Sequence, residues 1–302
     1  MSINAVKEFL IANSVFFTEN EPMKKHTTFK IGGRADLWVE PKTVEQAAKI
    51  CSLCKKLNIR LTVIGKGSNL LISDSGINGV VLSLKALDEI VCEGNTIYCG
   101  AGASLMSLCN LALENNLSGL EFAYGIPASV GGAVYMNAGA YGGEISTCIL
   151  SAAIINENGE TEIIEAADMQ FGYRQSVFKK NGSIIVAARF ALSPGEHNEI
   201  KAKMDDFMAR RRDKQPLEYP SAGSTFKRPE GHFAGALIEG AGLKGFSVAG
   251  AQVSKKHAGF LINTGGATAE NVCELIKSVQ RTVNAVYGVE LEPEVIYLER
   301  DK

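Results

Sequence analysis

The 302-residue chain is 46% hydrophobic and 21% charged, which excludes intrinsic disorder and, at roughly 150 residues per domain, implies about two domains. Its 31 Lys and Arg against 33 Asp and Glu give a net charge of −2, so no basic excess points to nucleic acid or an anionic membrane surface. Glycine is in excess, 31 of 302 residues against a usual ~7%, which calls for close backbone approaches or unusual turns.

Met1 to Phe17 holds no basic stretch followed by a long apolar run, so no signal peptide is expected. Nowhere are there about 18 uninterrupted apolar residues, so no transmembrane helix is expected either. Thr43 to Leu57 reads as a helix, with Val44, Ala47, Ala48, Cys51, Cys54 and Leu57 at helical spacing and Thr43–Gln46 as a capping box. Leu61 to Gly65 is a short strand that runs into Gly65-Lys66-Gly67-Ser68-Asn69. Val80 to Leu84 and Thr96 to Gly100 are further strands, and Ser104 caps a helix through Ala112. From Tyr124 to Gly143 the texture changes: glycines recur and no Asp, Glu, Lys or Arg interrupts them. Ala152 to Asn156 and Thr161 to Glu165, joined by Glu157-Asn158-Gly159-Glu160, read as a hairpin.

Ser183 to Leu192 is another strand. Glu196 to Asp213 is an amphipathic helix with Ile200, Met204, Phe207, Met208 and Arg211 on one side, and Gln215-Pro216 marks a domain junction. A glycine-rich stretch, Ala234 to Gly250, precedes strands near Ala251 to Ser254 and Gly259 to Asn263. Thr268 opens a long helix that Gly288 ends, and Leu291 to Leu298 is a closing strand. The pattern is α+β, with mixed sheets.

Seven cysteines, an odd number, argue against a disulfide framework and for a reducing compartment. Cys51-x-x-Cys54 falls on the apolar face of its helix, which favours buried thiols over a redox pair. The four histidines do not cluster with cysteines, so no protein-bound metal is expected.

The Gly65–Asn69 loop follows a strand, and its glycines let successive N–H groups turn toward an anion; a plain turn is the alternative. It has neither the Walker spacing nor the dinucleotide fingerprint. The longer run from Gly125 to Gly143 offers small side chains against which a flat ligand could lie; its alternative is a tightly packed sheet crossing. Two backbone cradles in one chain suggest a ligand containing a diphosphate.

The Gly125–Gly143 run, Ile64-Gly65-Lys66-Gly67-Ser68-Asn69-Leu70-Leu71 and His26-Thr27-Thr28-Phe29-Lys30-Ile31-Gly32-Gly33 together resemble the UDP-N-acetylenolpyruvoylglucosamine reductase family (MurB) of bacterial peptidoglycan precursor synthesis, over about residues 20 to 300. The resemblance implies an FAD-binding unit of two α+β subdomains, residues 1–84 and 85–195, and a C-terminal α+β substrate-binding domain, residues 196–302. It implies FAD contacts from Gly65, Lys66, Gly67, Ser68, Asn69, Leu70, Gly125, Ile126, Pro127, Ser129, Val130, Gly131, Gly132, Ala133 and Asn137. It also implies NADPH as reductant, the enolpyruvyl sugar nucleotide as substrate, no obligate protein partner and a cytoplasmic place. The chain lacks a long insertion between Arg189 and Glu196 that carries a tyrosine in some relatives, and so resembles the shorter subgroup.

Three more motifs are Phe171-Gly172-Tyr173-Arg174-Gln175-Ser176, Ser221-Ala222-Gly223-Ser224-Thr225-Phe226 and Leu291-Glu292-Pro293-Glu294-Val295. Strand alternation places Glu290, Glu292 and Glu294 on one face and does not choose among them. The resemblance picks Glu294. It implies that NADPH reduces FAD, that hydride then adds to C3 of the enolpyruvyl group, and that Arg174 stabilises the resulting enolate-like anion. It further implies that Ser224 delivers a proton to C2 and that Glu294 shares a proton with the substrate carboxylate. Tyr173, Lys214 and Arg228 are implied substrate contacts, although some relatives carry Asn where Arg228 stands. The alternatives are a flavin oxidase on the same architecture and a non-catalytic nucleotide-binding module.

Overall fold

The computed structural model describes residues 3–300; Met1, Ser2, Asp301 and Lys302 lie outside the described residues. The chain forms two compact, discontinuous units. The first comprises the chain through Glu19, Asp36–Lys66 and Gly79–Ala209; the second comprises Asn20–Ala35, Gly67–Asn78 and the chain from Arg210.

The first unit carries a five-stranded antiparallel sheet in the order Thr161–Glu165, Ile149–Ile155, Ile184–Ala191, Thr96–Gly100, Ile90–Glu93. The expected hairpin is there, with Ile155 opposite Thr161 and Gly159 at φ +82°. A second sheet has the order Phe16–Pro22, Arg34–Glu40, Ile77–Ser83, Leu61–Ile64, its last pair parallel. The helix Val44–Lys56 lays Ala47, Ile50, Cys51 and Cys54 into the core. Burial pushes the Cys51 thiol up to about 12 and Cys54 to about 11, which makes both packing groups rather than nucleophiles. Thr43 Oγ1 accepts the Gln46 N–H, but the Gln46 side chain turns back to the Lys42 N–H, so the reciprocal half of the expected capping box is displaced by one residue.

Two helices lie inside glycine-rich stretches. Val130–Tyr135 is capped by the Ser129 side chain, and Ala234–Gly240 opens the second glycine-rich segment. At Gly131 an added Cβ would meet Ala101 Cβ at 2.8 Å, so part of this glycine content serves close packing, as the sheet-crossing alternative anticipates. On the helix His197–Lys214, Ile200 and Met204 are buried, and Phe207 stacks on Tyr141 with ring centroids 4.6 Å apart.

The second unit packs the helix Ala269–Tyr287 against an antiparallel sheet in the order Ser221–Ser224, Phe260–Asn263, Ala251–Val253, Ser247–Val248. Val272, Leu275, Ile276, Val279 and Val283 fill its core with Phe226, Leu261 and Val295. The helix start is fully satisfied. Thr268 and Asn271 exchange side-chain and backbone bonds at 3.1 Å each, and the Asp74 carboxylate accepts the N–H groups of Ala269 and Glu270. Gly288 ends the helix at φ +68°. Replacement of Thr268 by Ala is expected to cost about 1 kcal/mol in denaturant unfolding.

The expected closing strand Leu291–Leu298 is shorter than its pattern. Only Ile296–Leu298 is a strand, paired parallel to Leu70–Ile72, while Pro293 makes one isolated bridge to Phe226. Proline has no N–H to continue a ladder, so residues 291–295 leave the strand and the simple alternation of Glu290, Glu292 and Glu294 does not persist through them. Glu292 is instead exposed and ion-paired with Lys227.

Candidate active site

The two cradles inferred from glycine content meet in the first unit. A Cβ on Gly65 would collide with Ser129 Oγ and come within 3.9 Å of Gly132 Cα. The start of the Gly65–Asn69 loop and the capped start of the Val130–Tyr135 helix are therefore neighbours. Val130 and Gly131 donate backbone N–H groups to the Ala103 and Ala101 carbonyls, which fixes that corner. Lys66 is exposed, yet partial desolvation still lowers its ammonium pKa. A bound phosphate would offset that desolvation. The Val130 and Gly131 N–H groups are already used within the protein, so the exposed Gly65–Lys66 segment with its cation is the part of this corner that fits a phosphate-bearing cofactor.

In the second unit the loop continues against the His26–Gly33 motif. Gly67 sits at φ +61°, a side chain there would strike the His26 carbonyl, and its own carbonyl accepts the Thr28 N–H. Thr28 Oγ1 in turn donates to the Ser221 carbonyl at 2.6 Å. The motifs at 26–33, 67–69 and 221–225 thus interlock through Thr28, whose N–H and hydroxyl each donate to a backbone carbonyl. Asn263, nearly buried, donates to the Phe29 carbonyl and joins the same web.

Ser224 ends a bulged strand. Ser221 faces Ile262 and Ser224 faces Phe260, three steps against two, with Gly223 at φ +77° absorbing the extra residue. The bulge turns Ser224 outward, where it is exposed, while Thr225 is buried. The Thr225 carbonyl accepts the Glu294 N–H at 2.8 Å, so the serine and the half-buried acid rise from joined backbone. Sequence reading did not single out Thr225. Its signal is weak, a β-branched residue after Gly-Ser, and its role is set by a partner far along the chain. Arg228 and Lys214 are exposed in this unit, and the Arg228 guanidinium lies 4.1 Å from the Phe233 ring centroid.

Arg174 and Tyr173 belong to the first unit. Gly172 and Gln175 exchange backbone bonds at 3.0 and 3.1 Å, closing a turn with Arg174 in its third position at φ +56°. Turns with positive φ there normally use Gly, and an arginine costs of order 1 kcal/mol. Such strain persists only where surroundings impose it. Here the Arg174 guanidinium donates to the Gly139 carbonyl, Lys179 donates to the Arg174 carbonyl, and Ser176 Oγ donates to Tyr135. Arg174 also lies 5.1 Å from the Tyr173 ring centroid, and Tyr173 itself is half exposed.

Asn137 is fully buried at φ +44°, and its side chain joins the Gly172 carbonyl at 3.1 Å to the Ser146 N–H at 2.9 Å. It holds the arginine turn onto the glycine run. Asn137→Ala should strand both groups and cost about 1–3 kcal/mol in thermal or denaturant melts.

Other groups carry little chemistry. His257 is the ring whose Nδ1 accepts the Gly259 N–H, and burial lowers its pKa. Among the described residues, no group of three or more His, Cys, Asp or Glu could hold a metal ion, and no helix is long and apolar enough to cross a membrane.

The family model for the UDP-N-acetylenolpyruvoylglucosamine reductase C-terminal domain matches residues 215–298, and that for an FAD-binding domain matches residues 35–165. The chain is 48% identical over 304 residues to a UDP-N-acetylenolpyruvoylglucosamine reductase of Clostridium perfringens, covering 99% of this chain and 100% of the relative. It is 52% identical to one of Clostridium botulinum, with 91% and 90% covered. A crystal structure of UDP-N-acetylenolpyruvylglucosamine reductase (MurB) from Thermus caldophilus superposes with a TM-score of 0.81 at 33% identity, covering 94% of this chain and 98% of that one. The α+β reading holds, and the flavin-oxidase alternative is not favoured by these near full-length matches. An FAD-containing oxidoreductase acting on small molecules, the chain belongs to the UDP-N-acetylenolpyruvoylglucosamine reductase family.

Proposed function

We propose that this chain reduces the enolpyruvyl ether of UDP-N-acetylglucosamine to UDP-N-acetylmuramate, with FAD held by residues 1–84 and 85–195, substrate held by residues 196–302, and NADPH as the reductant. The observation that carries the reading is the hydrogen bond from Glu294 N–H to the Thr225 carbonyl, which sets an exposed hydroxyl and a carboxyl on joined backbone. FAD, when bound, supplies the hydride for C3 of the enolpyruvyl group.

The chain's residues handle the charge and the proton. Arg174 stabilises the enolate-like carboxylate by paired, charge-assisted hydrogen bonds. Ser224 gives its hydroxyl proton to C2. Serine is a weak acid, but a carbanion-like centre is basic enough to take that proton. Glu294 shares a proton with the substrate carboxylate. Tyr173, Lys214 and Arg228 bind the sugar nucleotide. Gly65, Lys66, Gly67, Ser68, Asn69, Leu70, Gly125, Ile126, Pro127, Ser129, Val130, Gly131, Gly132 and Ala133 line the cofactor site, and Asn137, fully buried with both ends of its amide used on Gly172 and Ser146, braces it rather than facing the cofactor. A cytoplasmic place belongs to the same reading, because NADPH is an intracellular reductant.

The test is spectroscopic. Purified protein should be yellow, bleach with NADPH without oxygen, and regain its colour when the enolpyruvyl sugar nucleotide is added anaerobically. Recovery only on admitting air would make it an oxidase; no bleaching at all would leave a binding module.

A further inference from the structure

Glu294 stands where no sheet ladder holds it. Pro293 makes a single bridge to Phe226, and the strand begins only at Ile296. Four bonds grip the intervening backbone, the longest of them from the Val295 N–H to the Thr225 carbonyl at 3.5 Å. The Glu294 N–H donates to the Thr225 carbonyl at 2.8 Å, and the Ile296 N–H donates to the Asn69 carbonyl at 2.9 Å. The Glu294 carbonyl accepts from Asn69 Nδ2 at 3.1 Å, across 225 residues of sequence. All of these groups lie in the second unit. Asn69 uses both its main chain and its side chain on one short segment, and that segment carries the acid.

We infer that Asn69 is a positioning residue for Glu294: its carboxamide fixes the backbone from which the carboxyl projects, so the glycine loop sets the acid's place in proton transfer. The inference rests on the reading of Glu294 above. A short amide-bearing side chain suits the task, since it has few torsions to lose and donates where a proline-interrupted strand cannot. Without it the Glu294 carbonyl loses its Asn69 bond and the acid gains freedom. Misplacement of a catalytic group by about 1 Å can cost on the order of a hundredfold in rate.

The test is a double-mutant cycle in the full-length, FAD-loaded enzyme, using Asn69→Ala and Glu294→Gln singly and together. Asn69→Asp, which keeps the volume and removes the donor, serves if the alanine variant folds poorly. Substrate-driven flavin reoxidation is timed across pH, and amide hydrogen exchange is read at Glu294 and Ile296. Asn69→Ala should slow reoxidation roughly tenfold, the kinetic equivalent of one hydrogen bond, and speed exchange at both amides. It should also alter the shape of the pH profile, whereas a general loss of stability would lower the rate evenly at every pH. In the Glu294→Gln background its further effect should fall below about twofold. Equal effects in both backgrounds would overturn the inference and assign Asn69 an independent action. If Glu294→Gln reoxidises normally, the acid's own role falls. If Glu294→Gln is slow but Asn69→Ala is not, only the positioning role falls.

Discussion

Ser224→Ala is expected to slow reoxidation of the reduced flavin by substrate on the order of a hundredfold to ten-thousandfold, the usual range for removing a general acid. The loss should fall on that half of the cycle, because reduction by NADPH needs no proton at C2. The bulge at Gly223–Ser224 makes the substitution clean: the side chain is exposed and the backbone bonds run through Ser221 and Thr225, so folding should be unaffected. Rapid-mixing spectroscopy of the two half-reactions reads the outcome directly. Normal reoxidation would remove Ser224 from the chemistry.

Arg174→Ala is expected to cost about 3 kcal/mol of transition-state stabilisation, by analogy with deletion of one oxyanion donor. The loss should appear in kcat; a change confined to KM would mean that the guanidinium only binds substrate. Arg174→Lys should recover little of it, since an ammonium lacks the planar fork. The left-handed turn adds a second arm. At φ +56°, Arg174→Gly relieves strain of order 1 kcal/mol while deleting the cation. A protein more heat-stable yet slower than wild type would show that the strained backbone is kept for the side chain's sake.

What sequence reveals here follows the range of the interactions. Ser104, Thr268, Gly288 and the Asn158-Gly159 turn could be read directly, because a cap or a hairpin is decided within a few residues. The helices at Val130–Tyr135 and Ala234–Gly240 were masked by their own glycines. Tertiary closeness explains why each helix accepts a glycine: Gly131 lies against Ala101 in the first, and Gly235 lies against His257 and Gly259 in the second. Leu291–Leu298 looked like one strand, since its partner at Leu70–Ile72 is too distant in sequence to set a length. Arg174, Ser224 and Glu294 emerged as a set from family resemblance. The side-chain duties of Asn137 and Asn69 could not be read locally, for an asparagine looks the same whether it faces a cofactor or braces a backbone.

The parallel pairing of Leu70–Ile72 with Ile296–Leu298 also orders the birth of the molecule. A ribosome delivers the amino-terminal half long before the last strand, and closing so wide a ring exacts an entropic toll that grows only slowly with its size. Until Ile296–Leu298 has emerged, the Leu70–Ile72 edge beside the glycine loop has no partner strand. A chain cut before Ile296 should therefore carry a less stable second unit, read as a lower melting temperature than that of the intact chain.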